Sequence, residues 1–381
     1  MGFGTLGRLD LKSYTIVKMG RKRKFQPEVA IETDYAPLDT TEVLNLLNLL
    51  AHPEEEEEPV PKRLEQSPLI SNLDDLIAIG QSKIDYKNIN CRMLRKITPH
   101  LMSLTKMIGM KSVKESVFGQ VIYYLQDMHE THSQPDSITI GNYLHTMICG
   151  GPGSGKTELA KIIAKIYQSA GILSRNGPFR IAHRDDLVAK YVGQTAIKTR
   201  ELLLSCLGGV LFIDEAYSLS PGKGDRDTFG KEALDTLTAF LSEYKDSFCC
   251  IIAGYEDDLR DCLFGTNKGL ERRFPWVHKV DEYTSKELGE IFKQMVRKIG
   301  WTFADESIIV PAIESNKDLF KFNGGSVESF LDKLRTIHAK RVVNSESDVK
   351  KSITKTDMDL TIELVKSQVK EEDMSHLRFY T

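Results

Sequence analysis

Helical and apolar strand patterns alternate between residues 144 and 280, which predicts an α/β fold: a parallel sheet with helices on both faces. Two further observations complete that reading. The stretch Gly150-Gly151-Pro152-Gly153-Ser154-Gly155-Lys156-Thr157 fits the pattern G-x-x-x-x-G-K-[ST] where a strand gives way to a helix. After Asp281 the strands stop, so a small all-α domain follows the sheet. The expected organisation is a flexible charged extension over 1–87, the sheet domain over 88–281, the helical domain over 282–370 and a tail over 371–381.

With 381 residues, 41% of them apolar, the chain has ample material for a core. No run approaches the roughly 20 apolar residues of a membrane span, and the Met1 to Lys24 stretch lacks the apolar block of a secretory signal. A cytoplasmic protein is expected, with nuclear import through Arg21-Lys22-Arg23-Lys24 as the alternative. The six cysteines, at 91, 149, 206, 249, 250 and 262, form no C-x-x-C pair and sit in apolar or helical stretches. They read as reduced, buried thiols rather than a zinc site.

The net charge of -3 conceals an asymmetry confined to the N-terminal extension. Residues 1–24 hold seven Lys/Arg against one Asp, whereas residues 25–90 hold four against fourteen Asp/Glu. The tract Pro53 to Pro59, five glutamates between prolines, reads as a solvated linker. Between the charge blocks, Val43-Leu44, Leu46-Leu47 and Leu49-Leu50 form an apolar segment suited to docking on the core or on a partner. Order is expected to begin near Asn88, with two helices broken at Gly109 and a loop at Gln134-Pro135-Asp136 before the first strand.

From there the units alternate: strand 144–149, helix 156–169, strand 179–183, helix 195–207, strand 210–214, helix 230–244, strand 248–253 and strand 276–280. Thr284 with Glu287 forms a capping box for a helix carrying Leu288, Ile291, Phe292, Met295 and Ile299. A second amphipathic helix is expected after Gly324-Gly325, with Val327, Phe330, Leu331, Leu334 and His338 on one face. His338 reads as a packed residue, since no second metal ligand lies at usable spacing.

The glycine-rich stretch reads as a phosphate-binding loop. Its glycines let consecutive N–H groups turn around an anion and the helix N-terminus adds positive potential. Lys156 suits the β and γ phosphates of a nucleotide, and the Thr157 hydroxyl suits Mg²⁺. Beginning at Val210, four apolar residues lead into Asp214-Glu215, the Walker B form, 58 positions beyond Lys156. Asp214 is placed to hold the Mg²⁺ shell and Glu215 to polarise water. ATP and Mg²⁺ are therefore the expected ligands, in a P-loop NTPase sheet.

Adjacent Asp-Glu with a helical domain after the sheet resembles the AAA+ ATPases. Within them, Asp185 to Ala196 and Gly208 to Leu219 resemble the red-type Rubisco activases and the stage V sporulation protein K ATPases, over about Leu104 to Val343. The resemblance implies a hexameric ring with Tyr191-Val192-Gly193 as a pore loop gripping a polypeptide client. It assigns Ile108 and Gly109 to the entry segment that holds adenine, with a plain helix–helix turn as the other reading. Glu271-Arg272-Arg273-Phe274 falls where such proteins reach into the neighbouring subunit; Arg273 is the first candidate finger and Arg272 the second, against a surface basic pair.

Two positions depart from the wider family. Ala253-Gly254-Tyr255 replaces a polar sensor 1, and Asn323-Gly324-Gly325-Ser326 carries no sensor 2 arginine. The function expected is an Mg-ATP-dependent hydrolase that assembles into a ring and remodels a client. The alternative is a nucleotide-gated scaffold with slow or no hydrolysis. A nucleic-acid ATPase is disfavoured, because the core shows no basic stripe with interleaved aromatics and the pI is near 6.3.

Overall fold

The computed structural model describes residues 63–128, 143–191, 193–220, 228–344 and 350–378. The described residues fall within one unit, Pro61–Thr381. The basic cluster at Arg21, the apolar segment at Val43, the glutamate tract, the loop at Gln134 and Val192 all lie outside the described residues.

Five parallel strands form the central sheet: β1 (Thr146–Cys149), β2 (Phe179–Ala182), β3 (Val210–Ile213), β4 (Cys249–Gly254) and β5 (Trp276–Lys279), in the order β2-β3-β4-β1-β5. Successive strand residues face opposite sides. Val210, Phe212, Cys249, Ile251 and Ala253 enter one core, while Leu211, Ile213, Cys250 and Ile252 enter the other. Burial on both faces explains why these strands read as unbroken apolar runs.

The first face is covered by α1 (Leu73–Gln81), α2 (Cys91–Thr105), α3 (Lys111–Leu125) and α4 (Lys156–Ala170). The second is covered by α5 (Thr195–Leu204) and α6 (Thr228–Glu243). Helix α1 corrects the expectation that order begins at Asn88. Asn72 and Asp75 form a full capping box, and Leu73, Leu76 and Ile79 are buried against the core. Three buried side chains offset the ordering of a short helix that the neighbouring charge masks in sequence. Five of the six cysteines are buried thiols, and Cys262 is partly so.

The helical domain has its own core, built by α7 (Ser285–Lys298), α8 (Asn323–Arg341) and α9 (Lys355–Arg378). The capping box of Thr284 and Glu287 is present. Helix α8 starts at Asn323, so Gly324 and Gly325 lie in its first turn rather than before it. Helix α9 runs past residue 370 into the expected tail, and a two-residue parallel ladder, Thr302–Phe303 with Ser352–Ile353, adds strand to a domain expected to be all helical.

Asp357 ties this domain together. Fully buried, its carboxylate accepts from Arg341 at 2.7 and 2.9 Å, from the Thr354 N–H and hydroxyl at 2.8 Å each, and from His338 Nδ1 at 3.0 Å. Its pKa is held well below the usual carboxylate range, because these donors outweigh the burial that opposes ionisation. Asp357→Asn leaves Arg341 without its counter-charge, and should lower stability by about 3 kcal/mol or more in denaturant unfolding. A loss under about 1 kcal/mol would show that the network is incidental.

His145 and His278 add a pH dependence. His145 Nδ1 accepts from the Cys250 N–H at 3.1 Å and its Nε2 faces Leu241 O at 3.2 Å, which only the neutral ring with Nε2 protonated satisfies. Burial lowers the pKa of both histidines from the usual 6.5 to about 4. Between those values the unfolded chain binds more protons, so this stability is full above 6.5 and falls as pH drops towards 4. The slope approaches about 1.4 kcal/mol per pH unit for each ring. Urea midpoints should fall steadily on acidification from neutral pH, with a shallower fall in His145→Gln; a flat profile would contradict the assignment.

Candidate nucleotide site

Parallel strands all end at one edge of the sheet, and the loops that follow them collect there. Residues 150–155 run from β1 into α4, with the Gly150 N–H donating to Gly254 O at 3.1 Å and the Val280 N–H to Cys149 O at 2.8 Å. The loop is thus fixed at its base by the ends of β4 and β5. Gly153 and Gly155 have φ of 67° and 87°, a region in which a Cβ is strained. The Ser154 hydroxyl closes the turn onto Gly151 O at 2.8 Å.

Lys156, the first residue of α4, is buried, and its ammonium donates to Gly150 O and Gly151 O at 3.0 Å each. It also lies 3.7 Å from Glu215 Oε1. That contact joins the two motifs into one site. Thr157 follows Lys156 on α4 and is half-buried, as is Asp214 just past β3. Two oxygen donors, one hydroxyl and one carboxylate, fit Mg²⁺, which binds through few protein groups and completes its shell with water and phosphate. The loop amides and Lys156 fit a polyphosphate.

Glu215 adopts φ 48° and ψ 46°, left-handed backbone that is costly for a residue with a side chain. Its N–H donates to Asp214 Oδ1 at 3.1 Å, and its carboxylate accepts from the Tyr217 hydroxyl. Burial, then Glu215 itself, pushes the Tyr217 pKa up, so the hydroxyl remains a donor. The Tyr217 ring lies over Gly254, where a Cβ would come within 2.9 Å of Tyr217 Cδ1. The glycine at the end of β4 therefore makes room for the ring of Tyr217, whose hydroxyl reaches Glu215 two residues before it.

The segment before α3 reaches the same loop. Gly109 and Met110 both have positive φ, 65° and 56°. A Cβ on Gly155 would meet Met110 Cε at 3.0 Å and Met107 Cε at 3.5 Å, and one on Gly109 would meet Glu287 and the Tyr283 ring. Ile108 is half-buried in this turn. Tyr283, between β5 and α7, donates its hydroxyl to Ser154 O at 3.0 Å and packs against both the sheet core and the helical-domain core.

Of the remaining candidates, Tyr191 is 69% exposed, and Gly193 has φ 79° with open space around it. Arg272 is exposed. Arg273 is half-buried within its own chain, where Nε donates to the Ser242 hydroxyl at 2.7 Å and Nη1 to Gly269 O. The first candidate finger is therefore engaged locally, while the second faces solvent. Tyr217, Tyr283 and the Asn323-Gly324 turn were not legible as site residues. The sequence hints only through the glycines that accommodate them.

A profile described as ATPase family associated with various cellular activities (AAA) matches residues 146–268. The putative cfxQ-like protein R730 of Acanthamoeba polyphaga mimivirus is 36% identical over 75% of this chain and 70% of its own length. Stage V sporulation protein K of Bacillus subtilis is 33% identical over 71% of this chain and 82% of its own. The chloroplastic ribulose bisphosphate carboxylase/oxygenase activase of Cyanidioschyzon merolae is 35% identical over 64% and 78%. In the described residues, no helix is long and apolar enough to cross a membrane. Joined phosphate loop and Asp-Glu strand end, five-stranded parallel sheet and helical domain, together with these relatives, place the chain in the AAA ATPase family, in the branch of stage V sporulation protein K and the Rubisco activase.

Proposed function

We propose that the protein is an Mg-ATP hydrolase that assembles into a ring and remodels a polypeptide client. The observation that carries this reading is the 3.7 Å approach of Lys156 to Glu215, which sets a phosphate-binding cation beside a carboxylate suited to polarising water. Bound Mg-ATP supplies the phosphoanhydride to be cleaved and the metal that neutralises its oxygens. The loop amides from Gly150 to Gly155 and Lys156 hold the phosphates, Thr157 and Asp214 hold the metal, and Ile108 and Gly109 border the base. Tyr217 holds the Glu215 carboxylate in place by its hydroxyl.

The arginine segment, with Arg272 exposed and Arg273 half-buried, supports the assembly reading. In this reading Arg273 or Arg272 from a neighbouring subunit supplies a guanidinium to the site. Exposed Tyr191, with Val192 and Gly193, forms the pore loop that grips the client through an aromatic surface. A polypeptide client is supported by a relative named as an activase of another protein.

Glu215→Gln should lower ATP turnover by about 100-fold or more while ADP binding stays within about twofold of wild type. Tyr217→Phe should lower kcat about three- to tenfold at unchanged KM, since it removes only the hydroxyl that holds the base. Steady-state assays of both variants check this, and wild-type turnover in Glu215→Gln would overturn the hydrolytic reading.

Turnover per subunit should rise with protein concentration as rings form. Either Arg273→Ala or Arg272→Ala should cost about 1,000-fold in rate with nucleotide binding retained, identifying the finger. A specific rate that is independent of concentration and survives both substitutions would overturn the shared site.

A further inference from the structure

Three successive carbonyls of the phosphate loop are met by donors from beyond the sheet. Asn323 Nδ2 lies 3.5 Å from Pro152 O, the Gly324 N–H donates to Gly153 O at 3.1 Å, and the Tyr283 hydroxyl donates to Ser154 O at 3.0 Å. The two carbonyls before them are met within the loop, by Lys156 at Gly150 and Gly151 and by the Ser154 hydroxyl at Gly151. The outer rim of the loop is thus divided: its first half is held by the loop's own side chains, its second half by the helical domain and the segment leading to it.

At Gly153 the contact with the start of α8 is backbone on backbone. A Cβ on Gly153 would stand 2.3 Å from Phe322 O and 2.5 Å from Gly325 N, so no side chain fits between the loop and the start of α8. Asn323 takes φ 51°, a left-handed turn that asparagine tolerates better than most residues, and this turn brings the Gly324 N–H onto the loop. Burial, then Glu287, raises the Tyr283 pKa to about 12, which keeps its hydroxyl a donor at neutral pH.

A trans peptide points its N–H opposite to its C=O. Holding Gly153 O therefore sets the direction of the Ser154 N–H, and holding Ser154 O sets that of the Gly155 N–H. These inner amides are the groups with which the loop faces phosphate. We propose that Tyr283, Asn323 and Gly324 are positioning residues that couple the helical domain to nucleotide, orienting the inner amides by holding the outer carbonyls, in place of a cationic side chain at the start of α8. Coupling of this kind is reciprocal: phosphate that needs the amides aligned strengthens docking of the helical domain, and docking strengthens phosphate binding. The inference rests on the loop being the nucleotide site.

Two neighbouring glycines separate this role from general packing. A Cβ on Gly324 would stand 2.8 Å from Gly153 O, closer than real contacts allow, whereas one on Gly325 would stand 3.7 Å from Gly153 Cα, an ordinary contact. Tyr283→Phe removes a hydroxyl and keeps the ring. The experiment titrates a fluorescent ADP analogue against the full chain and these three variants, with thermal unfolding of the nucleotide-free proteins and hydrogen exchange of the first turns of α8 alongside.

Gly324→Ala and Tyr283→Phe should each weaken ADP about three- to tenfold, with Gly325→Ala within about twofold of wild type. In turnover assays the first two should raise KM for ATP more than they lower kcat, and ADP should protect the start of α8 from exchange in wild type but not in Gly324→Ala. Equal ADP affinity in wild type, Gly324→Ala and Tyr283→Phe would overturn the proposal, as would an equal loss in Gly325→Ala. A lower unfolding temperature without a change in ADP affinity would reduce the contact to packing. Failure of wild type itself to bind ADP would instead overturn the nucleotide reading on which the inference stands.

Discussion

A buried ammonium sets the terms for the whole site. Lys156 is withdrawn from water at the base of α4, so its charge requires oxygen partners at close range. Two carbonyls of the phosphate loop and the Glu215 carboxylate provide them, which ties the conformation of the loop to the end of β3. The sheet makes this possible by ending all its strands at one edge, with β4 and β5 anchoring the loop from behind. The left-handed backbone at Glu215 is tolerated because these surrounding contacts fix it on several sides.

The helical domain supplies a second constraint. Its elements are joined by the buried carboxylate of Asp357 on α9, which accepts from Arg341 and His338 of α8 and from Thr354 just before α9. Its outer end meets the phosphate loop through Asn323 and Gly324. Helix α8 therefore connects a charged, fully satisfied cluster to the rim of the site along one rigid element. A rigid element held at both ends is suited to transmitting a displacement at the loop to the rest of the domain.

How much of this could be read in the sequence follows from how local each signal is. The phosphate loop and the Asp214-Glu215 strand end were legible because their chemistry is set by consecutive residues, and β3 and β4 because burial on both faces leaves unbroken apolar runs. Helix α1 was not, since it is short, only three of its residues are buried, and two aspartates open its first turn. Tyr283 meets Ser154 across 129 positions, and Gly324 meets Gly153 through a backbone N–H that every residue except proline possesses. No residue type announces such a bond. Arg272 and Arg273 are adjacent in the chain, and only the fold shows that Ser242 and Gly269 engage one of them.

The meeting of Tyr217 with Gly254 has a consequence for how this site changes over time. The ring occupies the space that any side chain at the end of β4 would need, with Tyr217 Cδ1, Tyr217 Cε1 and Leu259 Cγ all within 3.3 Å of the point where a Cβ would stand. A polar residue introduced at 254 alone collides with the tyrosine, and a small residue at 217 alone opens a void and strips Glu215 of its donor. The two positions are epistatic. A polar residue at 254 fits this packing only if position 217 changes with it.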